Sequence, residues 1–150
     1  MQTEYLQYEG TKFSKSKNIG VFGQNARETG VPASVWRYYL LSNRPETSDS
    51  EFTWNEFVSK ANADLLNNLG NLVNRMIKFV NAKFDSIVPE PTPFDGTLDY
   101  NFTGTIDTEF VNDINTFLTT FISQMDQQKI RAAIGTLMTI SSRGNQYIQD

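Results

Sequence analysis

The chain has 150 residues, a formal net charge of −4, 39% hydrophobic and 13% aromatic residues, and neither histidine nor cysteine. Imidazole catalysis, thiolate metal sites and disulfides are therefore excluded, no metal site is expected, and the apolar fraction suffices for one core, with or without an appendage. No apolar run approaches the ~18 residues of a membrane span, and MQTEYLQYEG has the character of neither a signal nor a transit peptide, so no membrane or organelle is expected as a destination.

Residues 3–9, TEYLQYE, alternate aromatic and polar side chains and predict a short strand that runs through Gly10 into a lysine-rich loop. Ile19 to Phe22 (IGVF) is the expected return strand, broken by Gly23. Pro32 suits a helix start, and Val35, Trp36, Tyr39 and Leu40 recur at helical spacing up to Asn43. Arg44-Pro45 stops that helix. The polar run Glu46 to Ser50 reads as a connector, which divides the chain into residues 1–45 and residues 46–150.

Thr53 with Glu56 fits a capping box that opens a helix to about Phe84. Phe57, Leu65, Leu69, Leu72, Met76 and Val80 form its expected buried stripe, with Gly70 as a close-packing point or slight bend. Pro89, Pro91, Pro93 and Gly96 make 88–104 an irregular connection. Asp107 is the expected cap of a second helix, burying Phe110, Val111, Ile114, Phe117, Leu118 and Phe121. A third runs from about Gln127 to Ile140 with Ile130, Ala133, Ile134, Leu137 and Met138 inward, and a short fourth starts at Gly144. The expected fold class is mainly α: a short β-hairpin with its loop and a connective helix, then an antiparallel helix bundle.

Charge is uneven along this plan. No basic residue lies between Lys83 and Lys129, whereas basic residues outnumber acidic ones from Lys12 to Lys83. The basic end can face a polyanion that the acidic end repels. Within it, Lys12, Phe13, Ser14, Lys15 and Ser16 precede Lys17, Asn18 and Gly20. Mobile lysines on one loop can close on a polyphosphate, each worth ~4 kcal/mol at 4 Å and an effective dielectric of 20, less in open water. Lys12 and Lys15 would meet one ligand only through a turn, for which Ser14 and Ser16 offer donors. The plain alternative is a solvated hairpin tip.

On the long helix, Asn67, Asn71, Asn74, Arg75 and Lys78 fall in one sector at about 100° per residue. A polar face opposite an apolar one usually just meets water. Yet Asn67, Asn68, Asn71 and Asn74 are mediocre helix formers in mid-helix, which suggests another demand. Asn71 and Arg75, at i and i+4, can offer donors and an acceptor to one unstacked base edge.

KFSKS resembles the KMSKS motif of class I aminoacyl-tRNA synthetases. Its company of WRYYLLSNRP at Trp36 to Pro45, LLNNLGNLVNR at Leu65 to Arg75 and then SSRGNQYIQ is similar in order to the methionyl-tRNA synthetases, with Phe13 resembling the cytosolic eukaryotic branch. The resemblance implies that Lys12 and Lys15, chiefly Lys15, contact ATP and departing pyrophosphate as methionine is activated, with Phe13, Ser14 and Ser16 shaping the loop. It implies ATP with Mg2+ as nucleotide, methionine and tRNA(Met) as partners, a cytoplasmic location and partners in a multi-synthetase assembly. In that family the matching asparagine and arginine read the CAU anticodon, chiefly its first base, which assigns the role to Asn71 and Arg75.

The family's nucleotide-binding core precedes the lysine loop, so the chain is expected to be a carboxy-terminal piece of a methionine–tRNA ligase. Alone it should be inactive and bind no cofactor. The family's base-stacking tryptophan follows the GNQYIQ segment, and neither Trp36 nor Trp54 occupies that place; Trp54, beside Phe57 at a helix start, is expected in the core or as a staple. Asn145, Gln146 and Tyr147 are expected near the anticodon face. A non-catalytic tRNA-binding module and a helical protein-interaction bundle are the alternative functions.

Overall fold

The computed structural model describes residues 3–88 and 105–149, with the side chains of 105–107 left out. A small sheet begins with β1 (Leu6–Tyr8) and β2 (Thr11–Lys12), antiparallel with Gln7 opposite Lys12 and Tyr8 opposite Thr11. Glu9 and Gly10 join them with φ of 47° and 76°, the paired positive values of the tight turns that match strand twist. That turn reverses the chain at once, so the return strand is Thr11–Lys12 and not IGVF. Of the expected strand only Ile19 pairs, in a single bridge to Ser14. Gly23 does not merely break the chain there but opens a short helix, α1 (Gly23–Glu28).

α2 (Ala33–Ser42) follows with Pro32 at its N-cap and Asn43 at its C-cap, as the spacing predicts. The run expected as a connector then ends in β3 (Ser50–Phe52), which pairs parallel to β1 and gives the order β2-β1-β3. Asp49 fixes this register by accepting from the Tyr5 backbone at 3.0 Å and from Gln7 Nε2 at 3.1 Å. The sheet thus takes strands from both sides of residue 45.

Tyr39, Phe52 and Phe57 are buried together, and Leu6, Tyr8, Val31, Val35, Trp36 and Trp54 pack around them. Ring centroids lie 4.6 Å apart for Trp36 and Phe57 and 5.1 Å for Tyr39 and Phe57, spacings worth about 0.5–1.5 kcal/mol per pair beyond area burial. Trp54 belongs to this core, its Nε1 donating to the Tyr8 hydroxyl at 3.0 Å.

Two tyrosines fasten α2 to the long helix. Tyr39 Oη donates to Glu56 at 3.1 Å, and burial with that carboxylate pushes its hydroxyl up to about 12. Tyr38 Oη donates to Asp64 at 2.6 Å, and burial together with Asp64 raises its pKa further.

Thr53 caps the long helix by accepting from the Glu56 backbone at 3.2 Å, as the capping box predicts. The helix is continuous but not uniform. α3 (Trp54–Lys60) passes into a π-helical stretch, Ala61–Gly70, and then into α4 (Asn71–Lys83), capped at Phe84. A π-helix bonds i to i+5 and turns less per residue, so a stripe read at 3.6 drifts off the packed face. Accordingly Phe57 is buried, Leu65, Leu72 and Val80 are half-buried, and Leu69 and Met76 are exposed, contrary to the expected stripe. Gly70 closes the stretch where a Cβ would stand 3.0 Å from the Leu65 carbonyl oxygen.

The expected connection over 88–104 lies, from 89 on, outside the described residues. α5 (Thr105–Asp126) starts before Asp107, which is therefore inside its first turn and not its cap. Of its expected inward residues, Phe110, Val111, Ile114, Phe117 and Phe121 are half-buried and Leu118 is exposed. α6 (Ile130–Tyr147) is one helix where two were expected. Its Ala133 is buried and its Leu137 exposed.

Gly144 does not begin a fourth helix. It is buried within α6, where a Cβ would lie 3.2 Å from both methyls of Leu72, and its bareness lets α6 approach α4. Arg143 pairs with Asp113 at 2.8 Å and Gln124 meets Thr136 at 2.8 Å, so α5 and α6 run antiparallel. Glu46 accepts from the Arg131 backbone at 3.0 Å and from Arg44 at 3.2 Å, which seats a carboxylate at the positive end of α6.

Candidate functional site

The lysine loop is built on a backbone turn. Ser14 and Ile19 exchange both backbone hydrogen bonds, at 2.8 and 2.9 Å, and the Asn18 amide donates to the Lys15 carbonyl at 3.2 Å. Asn18 takes the left-handed conformation this needs, with φ of 52°. The Ser14 and Ser16 hydroxyls, expected to supply donors that hold the turn, share a hydrogen bond at 3.4 Å beside these backbone bonds. Lys12 stands exposed on β2, while Lys15, Ser16 and Lys17 are exposed at the tip and Ser14 is half-buried. Among the described residues, no ion pair engages these lysines. Their charge is free to meet an anion.

Phe13 anchors the turn. Its ring lies 5.3 Å from Tyr8 and 6.1 Å from Phe22, and Tyr8 in turn stacks on Phe52 at 5.7 Å. Gly20 makes room for it: φ is 129°, and a Cβ there would stand 2.3 Å from the ring. Gly20→Ala is therefore expected to expel Phe13 and destabilise the fold by about 2 kcal/mol, from overpacking plus a strained φ. Urea unfolding checks this, with a midpoint equal to wild type as the contrary result.

The second candidate surface lies where α4 meets the end of α6. Asn67, Asn71, Asn74 and Lys78 are exposed and Arg75 is half-buried. Asn71 Nδ2 donates to the Asn67 carbonyl at 2.7 Å, which bridges the change from π to α winding. The amide oxygen and the second N–H of Asn71 have no partner among the described residues.

Arg75 Nη1 donates to the Asn145 carbonyl at 3.3 Å. Gln149, with its side-chain oxygen turned to the guanidinium so that both groups are satisfied, accepts from Nη2 at 3.2 Å and Nη1 at 3.3 Å. Asn145 and Gln149 were not legible as partners of Arg75 from spacing, because α6 reaches it from far along the chain.

Asn68 differs from its neighbours. Its Nδ2 donates to the Met138 carbonyl and the Ser142 hydroxyl, both at 2.9 Å, while Asn145 Nδ2 donates back to the Asn68 carbonyl at 2.9 Å. This asparagine is structural: it ties the π stretch to α6. Of the segment expected near the surface, Asn145 touches Arg75, Gln146 is exposed, and Tyr147 stacks on Phe110 at 4.1 Å.

The family model described as tRNA synthetases class I (M) matches residues 1–77. The cytoplasmic methionine–tRNA ligase of Saccharomyces cerevisiae is 50% identical over 148 residues, 99% of this chain and 19% of that protein. A probable cytoplasmic methionine–tRNA ligase of Schizosaccharomyces pombe is 48% identical over 152 residues, 99% of this chain and 18% of that protein. The chain thus spans about a fifth of the length of these curated relatives. Mycobacterium tuberculosis methionyl-tRNA synthetase in complex with methionyl-adenylate matches the structure with a TM-score of 0.75 and 25% identity, covering 97% of this chain and 26% of that one.

Proposed function

The chain belongs to the class I methionyl-tRNA synthetase family, and from that premise we propose that it serves a cytoplasmic methionine–tRNA ligase by presenting a lysine loop to ATP and reading the anticodon of tRNA(Met). In activation, the methionine carboxylate attacks the α-phosphorus of ATP and pyrophosphate leaves with the bond's electron pair. Lys15, at the tip of a turn closed by backbone hydrogen bonds, supplies positive charge to the departing phosphates, and Lys12 supports it from β2. The magnesium that accompanies ATP enters with the phosphates. Phe13 sets where the tip stands, through its packing on Tyr8 and Phe22.

The anticodon is read on the outer face of α4. One observation carries this reading: the Asn71 amide oxygen, without a partner among the described residues, lies one turn from Arg75, whose guanidinium is held at the end of α6. Cytosine carries an exocyclic amine donor beside two ring acceptors, so the Asn71 oxygen takes the amine while Arg75 donates to the acceptors. Competition binding to the full-length protein tests it, with tRNA(Met) carrying CAU set against the same tRNA carrying UAU. Preference for CAU is the expected result, and equal affinity contradicts the proposal.

A further inference from the structure

The guanidinium of Arg75 is held from two sides within the protein itself. Asn145 lies in the last turn of α6, where carbonyls run out of helical amides. The Gln149 amide, four residues on, bonds to the Gln146 carbonyl at 2.8 Å, which leaves the Asn145 oxygen to accept from Nη1. Gln149's side-chain oxygen takes one proton from each terminal nitrogen. Both Nη1 protons and one Nη2 proton are then engaged. The Nε–H and the second Nη2–H have no partner among the described residues, and they project in parallel from one edge of the planar group.

We propose that Gln149 is a positioning residue for base selection. It fixes the plane of Arg75 and occupies its end-on fork, which leaves a single two-donor edge for RNA. An unrestrained guanidinium can rotate to satisfy almost any acceptor, whereas a fixed two-donor edge demands two acceptors side by side. Cytosine offers O2 and N3 in that arrangement; uracil has a donor at N3 and leaves one N–H of the pair unmet. Gln149 is also neutral, so it orients the guanidinium without cancelling the charge that draws RNA. This assignment rests on the reading of Arg75 as an anticodon contact.

The test compares Gln149→Leu, which keeps bulk and loses the acceptor, with Gln149→Glu, which keeps a two-point acceptor and adds charge. In the full-length protein, the ratio of aminoacylation kcat/KM for CAU-bearing over UAU-bearing tRNA is expected to fall roughly tenfold in Gln149→Leu. Gln149→Glu is expected to hold the ratio near wild type while weakening binding of both tRNAs. Arg75→Ala is measured beside them. A ratio lost in Arg75→Ala but unchanged in Gln149→Leu overturns the role of Gln149 alone. A ratio unchanged in Arg75→Ala overturns the reading of Arg75 and the role of Gln149 with it.

Discussion

Lys15→Ala in the full-length protein is expected to slow ATP–pyrophosphate exchange by about two to three orders of magnitude, the scale of losing one preorganised charge at a developing anion. The turn itself should survive the change. Its closing bond uses the Lys15 carbonyl, the flanking pair uses Ser14 and Ile19 backbone, and the ammonium is exposed with no ion pair among the described residues. The loss should therefore fall on kcat more than on the KM for ATP, because the charge matters most once pyrophosphate separates. Lys12→Ala is expected to act in the same direction with a smaller effect, since Lys12 stands on β2, back from the tip. An unchanged exchange rate in Lys15→Ala contradicts the role assigned to the loop.

Arg75→Ala is expected to lower aminoacylation kcat/KM for the CAU-bearing tRNA by about two orders of magnitude, at roughly 1–3 kcal/mol for each of two lost contacts. The same substitution should cost the UAU-bearing tRNA far less, because that base does not use both contacts. ATP–pyrophosphate exchange without tRNA should be retained, which separates a reading defect from misfolding. Arg75→Lys is expected to resemble alanine in selectivity while keeping part of the affinity. Lysine preserves the charge but cannot offer a planar pair of donors or hold the Asn145 carbonyl and Gln149 together.

Local signals in the sequence are the ones that the structure bears out. The α2 helix, its end before Arg44, the Thr53 cap and the core position of Trp54 each depend on near neighbours or on a strong apolar pattern. What the sequence hid is non-local or breaks a standard period. β3 pairs with a strand more than forty residues earlier, and nothing in Ser50–Phe52 announces a parallel partner. The π stretch defeats a 3.6-residue reading, which is why Leu69 and Met76 lie outside the packed face.

Glycine was the most ambiguous letter. Gly144 has the look of a helix boundary, yet it marks close approach to Leu72, a contact that only the folded bundle creates. The asparagine cluster on the long helix concealed two situations: Asn68 faces α6 and ties the bundle, while Asn71 is exposed and its amide oxygen has no partner among the described residues. Spacing alone could not divide them, since the division depends on which face α6 covers.

The most direct test of the account is a double-mutant cycle between protein and RNA. It combines Arg75→Ala in the full-length protein with a cytosine-to-uracil change at the first anticodon base, read as aminoacylation kcat/KM. Strong coupling is expected: once Arg75 is gone, changing the base should cost at least about tenfold less than it costs the wild-type protein. If the two changes instead multiply independently, Arg75 does not read that base and the proposed recognition surface is wrong.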